Sequence, residues 1–194
     1  MAVFSVALLL FIVLDPFGNL VTLNTLLRAH APARRRRIIV RESLIALLIL
    51  LIFVFAGGAI LGALGLQPYT LGIAGGIVLF MIALGMVFPA RRVIDDEAFE
   101  DPLVVPIAMP LIAGPGAIST VILLAQKNGV WTVAAAVGLS WLVTAVVLGA
   151  STAVFRLLGP RGANALERLM GILLVMVSVQ MVLDGVGAYL TSRG

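Results

Sequence analysis

One carboxylate, Asp15, stands in the middle of an apolar run, and short polar side chains follow it at Asn19, Thr22, Asn24 and Thr25. About a hundred residues later Gly114-Pro115-Gly116 interrupts a second apolar run and is followed by Ser119 and Thr120. A charged carboxylate deep in an apolar run costs several kcal/mol, so it must be paired, hydrated or protonated. Such a group suits the carriage of a proton or the recognition of an ammonium. It also suits a plainer task, capping the half-helix that Pro16 begins, and the two roles are compatible. Asn19 and Thr22 are three residues apart and share a helical face. Hydroxyls on a span also bond back to their own helix, and Thr25 and Thr120 are read that way. Asn19 and Ser119, within a turn of the interruptions, are the better ligand candidates.

Each interruption lies in a segment long enough to cross a bilayer, where Pro and Gly free backbone polar groups. Hydrocarbon cannot satisfy those groups, so a broken span must face protein or a polar cavity. Matching breaks in two halves of a chain point to a binding site at the midplane. The candidate binding set is therefore Asp15, Pro16, Gly18, Asn19 and Thr22 with Gly114, Pro115, Gly116, Ala117 and Ser119. Gly75, Gly76 and Gly171 read as close-packing positions between helices. Ser178 and Gln180 are weaker cavity candidates, and His30 reads as a solvated surface residue.

The elements that position these residues follow from composition. The 194 residues are 62% hydrophobic and 11% charged, with a mean hydropathy of +1.20. Soluble domains are nearer 45–50% apolar and about 25% charged, so the chain is expected to be an integral membrane protein. Windows of roughly 20 apolar residues give six spans, at about Ala2–Leu27, Ser43–Leu64, Thr70–Phe88, Leu103–Ala125, Val130–Leu157 and Leu166–Leu190. They form one transmembrane domain over 1–194, with an acidic linker at 89–102 carrying Asp95-Asp96-Glu97 and Glu100-Asp101. Met1 to Ser5 carry no basic side chain and no cleavage motif follows, so the first span is expected to remain in the mature protein. Without cysteine neither a disulfide nor a Cys-ligated metal is available, and no cofactor or metal is expected.

Basic residues orient the spans. Of the 13 Lys and Arg residues, all but Lys127 and Arg193 fall in the linkers after spans one, three and five or at the span ends beside them. The positive-inside rule makes those linkers cytoplasmic and both termini extracytoplasmic. Between two spans, Arg34 to Arg37 read as an orientation signal rather than as a nucleic-acid patch.

The halves repeat. Residues 76–86 align with 171–181 at one offset, pairing Gly76 with Gly171, Leu79 with Leu174, Met81 with Met176 and Met86 with Met181. Pro16 and Pro115 recur at nearly the same offset. A repeat of three spans enters the membrane from the opposite face the second time. The expected fold is thus all-α, six transmembrane helices as two inverted three-helix repeats (about 1–90 and 102–194) with spans one and four broken. Asp15 is about 12 residues, or roughly 18 Å, from the outer end of its span, and Gly114 is similarly deep from the inner end. Both breaks thus fall near the centre of a roughly 30 Å core. The half-helices beginning near Asn19 and Ala117 point N-terminal N–H groups inward, a seat for a carboxylate.

At the breaks the sequence resembles the MarC-related family, also described as small neutral amino acid transporters with six spans. The matching pieces are Asp15-Pro16-Phe17-Gly18-Asn19, close to an Asn/Asp-Pro-x-Gly motif, and the run from Pro110 to Thr120 that contains Gly114-Pro115-Gly116. The resemblance implies an inner-membrane carrier for glycine, alanine and similar amino acids, coupled to protons, with substrate, H⁺ and the lipid bilayer as its partners. Asp15 departs from the commoner Asn, which adds a titratable group to the site.

Two other classes compete. An intramembrane lipid-modifying enzyme needs a nucleophile with a base, or metal ligands. Here there is no cysteine, one peripheral His and a single mid-depth acid, so an enzyme is not expected. An uncoupled channel also uses irregular backbone at membrane depth. Saturable counter-flow distinguishes a carrier from it.

Overall fold

A computed structural model describes residues 2–20, 23, 27, 31–88 and 113–192. Thr22, Asn24, Thr25, His30, the acidic linker, Arg91, Arg92 and the first half of span four lie outside the described residues, as does the motif stretch from Pro110 to Ile112. Among the described residues there are helices and no strands: α1 Ala2–Leu14, α2 Pro32–Ala63, α3 Pro68–Val87, α4 Pro115–Asn128, α5 Val130–Gly149 and α6 Ser151–Thr191. Five of these stretches are long and apolar enough to cross a membrane, counting Val3–Leu20 as the first. The chain is a multi-pass membrane protein, built of helices among its described residues.

Proline and glycine set the helix ends. Pro32, Pro68 and Pro115 each stand in the first turn of a helix, where a missing N–H is no loss and the fixed φ is already helical. Gly65 takes φ 63 after α2; its N–H reaches the Gly62 carbonyl and that of Leu66 reaches Leu61, a Schellman ending that only a residue tolerant of positive φ permits cheaply. Gly129 (φ 86) separates α4 from α5.

Two span boundaries differ from those expected. α2 begins at Pro32 rather than Ser43, so Arg34 to Arg37 form its first turns. A helix of 32 residues measures roughly 48 Å and can project beyond a roughly 30 Å core. The fifth span ends at Gly149, not Leu157. The residues from Ser151 start a new helical segment, bent at Gly159 (φ 65) before Pro160, because a proline ring cannot continue the preceding turn.

α3 and α6 share the largest interface, followed by α1 with α5 and α2 with α5. α2 and α5 run antiparallel. Phe55 meets Trp131 edge-on at 5.3 Å between ring centres, the Trp141 indole N–H donates to the Ser43 carbonyl at 2.7 Å, and Arg35 donates to the Ser151 hydroxyl at 3.1 Å. The buried core joins all the described helices around Leu10, Leu50, Leu79, Val121, Val133 and Leu174. Large apolar side chains also cover the outside, among them Phe4, Ile52, Met81, Val146 and Leu183. A lipid-facing surface requires that arrangement.

α3 and α6 cross reciprocally. A Cβ placed on Gly76 would meet Val182 at 2.7 Å, the Ser178 carbonyl at 2.8 Å and Met181 at 3.2 Å. One placed on Gly171 would meet Met86 and Val87 at 3.0 Å and the Ala83 carbonyl at 3.2 Å. Subtracting the Gly76–Gly171 offset from the first set of partners gives the second set. Small residues at the crossing let two backbones approach, which is how helices associate in lipid.

Candidate functional site

α1 stops at Leu14, and the chain turns through Asp15-Pro16-Phe17 before a helical stretch resumes at Gly18. Asp15 adopts φ 44, a left-handed conformation that Asp and Asn tolerate better than most residues. Its Oδ1 accepts the Gly18 N–H at 3.0 Å, the bond an N-cap makes, and the carboxylate is buried. The Asn19 N–H is bound to the Asp15 carbonyl at 3.1 Å, and the Asn19 amide donates to the Leu14 carbonyl at 3.1 Å. Phe17 folds back edge-on against Phe11 at 5.9 Å. This first break is closed upon itself by local bonds.

The second break is built differently. Gly114 is the N-cap of α4, extended at φ −67, ψ 167, and among the described residues no side chain caps it. The Ile118 N–H makes the first helical bond, to Gly114 at 3.0 Å. The donors that precede that bond are those of Gly116 and Ala117, since Pro115 has none. The sequence placed the carboxylate donors at Asn19 and at Ala117 to Ser119. The structure commits Asn19 and Ile118 to backbone partners and leaves the helix-end role to Gly116 and Ala117. Ser119 and Thr120 bond back to the carbonyls of Pro115 (2.9 Å) and Gly116 (2.7 Å).

Both breaks lean on α3. A Cβ on Gly18 would collide with the Asp15 carboxylate and with the Met86 methyl, and one on Gly116 would stand 2.8 Å from a Leu79 methyl. Leu79 and Met86 are two turns apart on one helix, which separates the breaks by roughly 10 Å along α3. Leu14 and Ala113 before the breaks and Ala117 after the second belong to one buried core. Gly18 of the first break and Gly116 and Ser119 of the second thus abut one supporting helix; Asp15, Pro16 and Asn19, and Gly114, Pro115 and Ala117, adjoin those contacts along the chain. Thr22 is outside the described residues.

A cavity of about 660 Å³ approaches the second break from the side of Lys127. It lies between α3, α4 and α6, among Tyr69, Thr120, Lys127, Gln180, Met181 and Asp184. The Gln180 amide donates to Asp184 at 2.6 Å. Thr120, at the cavity's inner end, is the residue after Ser119, and its hydroxyl lies 3.6 Å from the Met181 sulfur.

Sequence reasoning missed three features here. Glu42, just before the expected start of span two at Ser43, is fully buried. Its Oε1 pairs with Arg41 Nε at 2.8 Å, while Oε2 and the hydroxyls of Ser43 and Thr144 have no hydrogen-bond partner among the described residues. Glu167 of α6 acts electrostatically on Asp15, so Asp15 is not the only acid that bears on the site. The cavity itself is the third. Its polar members were visible only as scattered residues on different helices.

A family model described as "MarC family integral membrane protein" matches residues 1–190. The chain is 46% identical over 188 residues to UPF0056 inner membrane protein YhgN of Escherichia coli strain K12, covering 95% of each chain. It is 40% identical to UPF0056 membrane protein BU449 of Buchnera aphidicola subsp. Acyrthosiphon pisum, covering 96% of this chain and 97% of the relative. It is 35% identical to UPF0056 membrane protein MJ0972 of Methanocaldococcus jannaschii, covering 93% and 85%. No solved structure matches.

Proposed function

Because this chain belongs to the MarC family of integral membrane proteins, we propose that it is a secondary transporter of small neutral amino acids. It works in the inner membrane, coupled to protons, by alternating access about a midplane site, and it is not an enzyme. The observation that supports this reading is a turn capped by Asp15 and a helix N-terminus at Gly114 whose glycines, Gly18 and Gly116, abut one helix. Interrupted spans whose half-helix ends face an interior site are the means by which carriers hold substrates and ions at mid-depth.

The two inverted repeats belong to the same proposal. The reciprocal contacts of Gly76 and Gly171 support them, because an isologous crossing is what a two-fold axis produces.

In this reading the substrate carboxylate sits at the N–H groups of Gly116 and Ala117, where the helix dipole favours an anion. Asp15 faces the ammonium or carries the coupled proton. Leu79 packed on Gly116 and Met86 on Gly18 leave room only for a small side chain. Purified protein in proteoliposomes should take up labelled glycine or alanine saturably, faster when the outside is more acidic than the lumen. Uptake that never saturates, or that ignores the pH gradient, counts against a coupled carrier.

A further inference from the structure

We infer that Met181 and Met86 are the outer and inner gates of the site between the breaks. The inference rests on the proposed transport reading for its purpose, but its geometry stands apart from it. α3 and α6 are antiparallel, since Gly76 faces Ser178 to Val182 while Gly171 faces Ala83 to Val87. The centre of that crossing falls near Met81 and Met176, both of which face outward. Met86 and Met181 each lie five residues beyond the centre, in opposite directions, or roughly 7–8 Å to either side at the helical rise.

Each of these methionines closes on one break. The Met86 methyl packs where a Gly18 side chain would be, and Met86 is 8% exposed. The Met181 sulfur is 3.6 Å from the Thr120 hydroxyl. Its methyl lies 3.4 Å from the position of a Cβ on Gly75, a position that also abuts Ser119. Met181 lines the 660 Å³ cavity, whereas Ser119 and Gly116 do not. Met181 is thus the side chain that closes the cavity's inner end toward the break. The cavity is then the entrance vestibule on the Lys127 face.

Methionine suits the task physically. It is unbranched, with three rotatable side-chain bonds and a soft thioether, so it fills a gap without fixing it and can swing aside on a fast timescale. A branched or aromatic residue would block the passage or require the helix to move.

The chain has no cysteine, which makes the test direct. Ser119→Cys, close in size to serine, reports access to the second break. In lipid nanodiscs a small charged methanethiosulfonate should modify it slowly when Met181 is present and at least about tenfold faster in Met181→Ala. Met181→Leu, of similar volume, should stay as slow as the parent, and Met81→Ala, at the outward-facing centre of the crossing and outside the cavity lining, should change nothing. Equal rates in Met181→Ala and Met81→Ala overturn the gate. If Met181→Ala does not fold, Met181→Val must give an intermediate rate; a rate equal to the parent's overturns the gate as well. Labelling needs no transport, so a protein that fails to carry amino acids leaves this result readable.

Discussion

Adding one methyl group at Gly76 should weaken the protein, while the same change nine residues along the same helix should not. At Gly76 the new Cβ stands 2.8 Å from the Ser178 carbonyl oxygen and 2.7 Å from Val182. A side-chain methyl can turn away, but a backbone oxygen moves only with its helix. Restoring ordinary contact requires α3 and α6 to part by about half an ångström, and a gap of that size forfeits about a quarter of each dispersion well across the interface. Overpacking of this kind costs about 1–3 kcal/mol. Against it stands the gain from replacing glycine inside a helix, up to about 1 kcal/mol. Gly76→Ala should therefore lose about 1–2 kcal/mol. Gly85→Ala, where nothing lies within 4 Å of the added atom, should gain up to about 1 kcal/mol. Gly171→Ala, whose nearest carbonyl is at 3.2 Å, should fall between them. The double variant Gly76→Ala/Gly171→Ala should cost less than the two changes summed, because one separation of the helices relieves both contacts. Unfolding curves in mixed micelles of increasing SDS fraction measure these differences. Gly76→Ala as stable as Gly85→Ala would refute the reciprocal crossing.

Three further outcomes are expected. Asp15→Asn should fold normally, because Asn caps as well as Asp, and should keep substrate binding while losing much of the pH dependence of uptake; an unchanged pH profile would leave Asp15 as a cap and move the proton elsewhere, with Glu167 the next group to test. Glu42→Met should be neutral or stabilising by about 1 kcal/mol, since the carboxylate is desolvated with Oε2 unpartnered and hydrophobic replacement of such groups is often favourable; a clear loss of stability would mean that Glu42 holds a bound group. Single cysteines at positions 2 and 36 should be labelled from outside intact cells at position 2 only, and labelling at 36 would reverse the orientation drawn from the arginines.

Local chemistry is what the sequence made legible. Pro16 marked the end of α1 and Pro115 the start of α4, because proline cannot continue a helix but fits its first turn, and Asp before Pro16 announced its cap. The Gly76–Gly171 offset was readable because close packing admits few residue types at a crossing. Helix ends beyond the membrane were less legible. The charge pattern of Arg34 to Arg37 reads the same whether they lie in a loop or, as here, in the first turns of α2. The kink at Gly159-Pro160 was hidden by an apolar run that looked like the rest of span five. The burial of Glu42 was not legible at all, and of the cavity only Gln180 was marked as a candidate. They depend on how Tyr69, Thr120 and Gln180, or α2 and α5, converge across the fold, and no local pattern encodes that convergence.

The central claim is that substrate is carried through a site whose second wall is the helix end at Gly116. Counter-flow tests it most directly. Proteoliposomes loaded with unlabelled alanine and diluted into a trace of labelled alanine should accumulate label transiently above its outside concentration. Gly116→Val, which crowds a movable Leu79 methyl and should remain folded by its unfolding curve, should abolish that overshoot. An overshoot unchanged in Gly116→Val would contradict the site, and no overshoot in the unaltered protein with any small neutral amino acid would contradict the carrier.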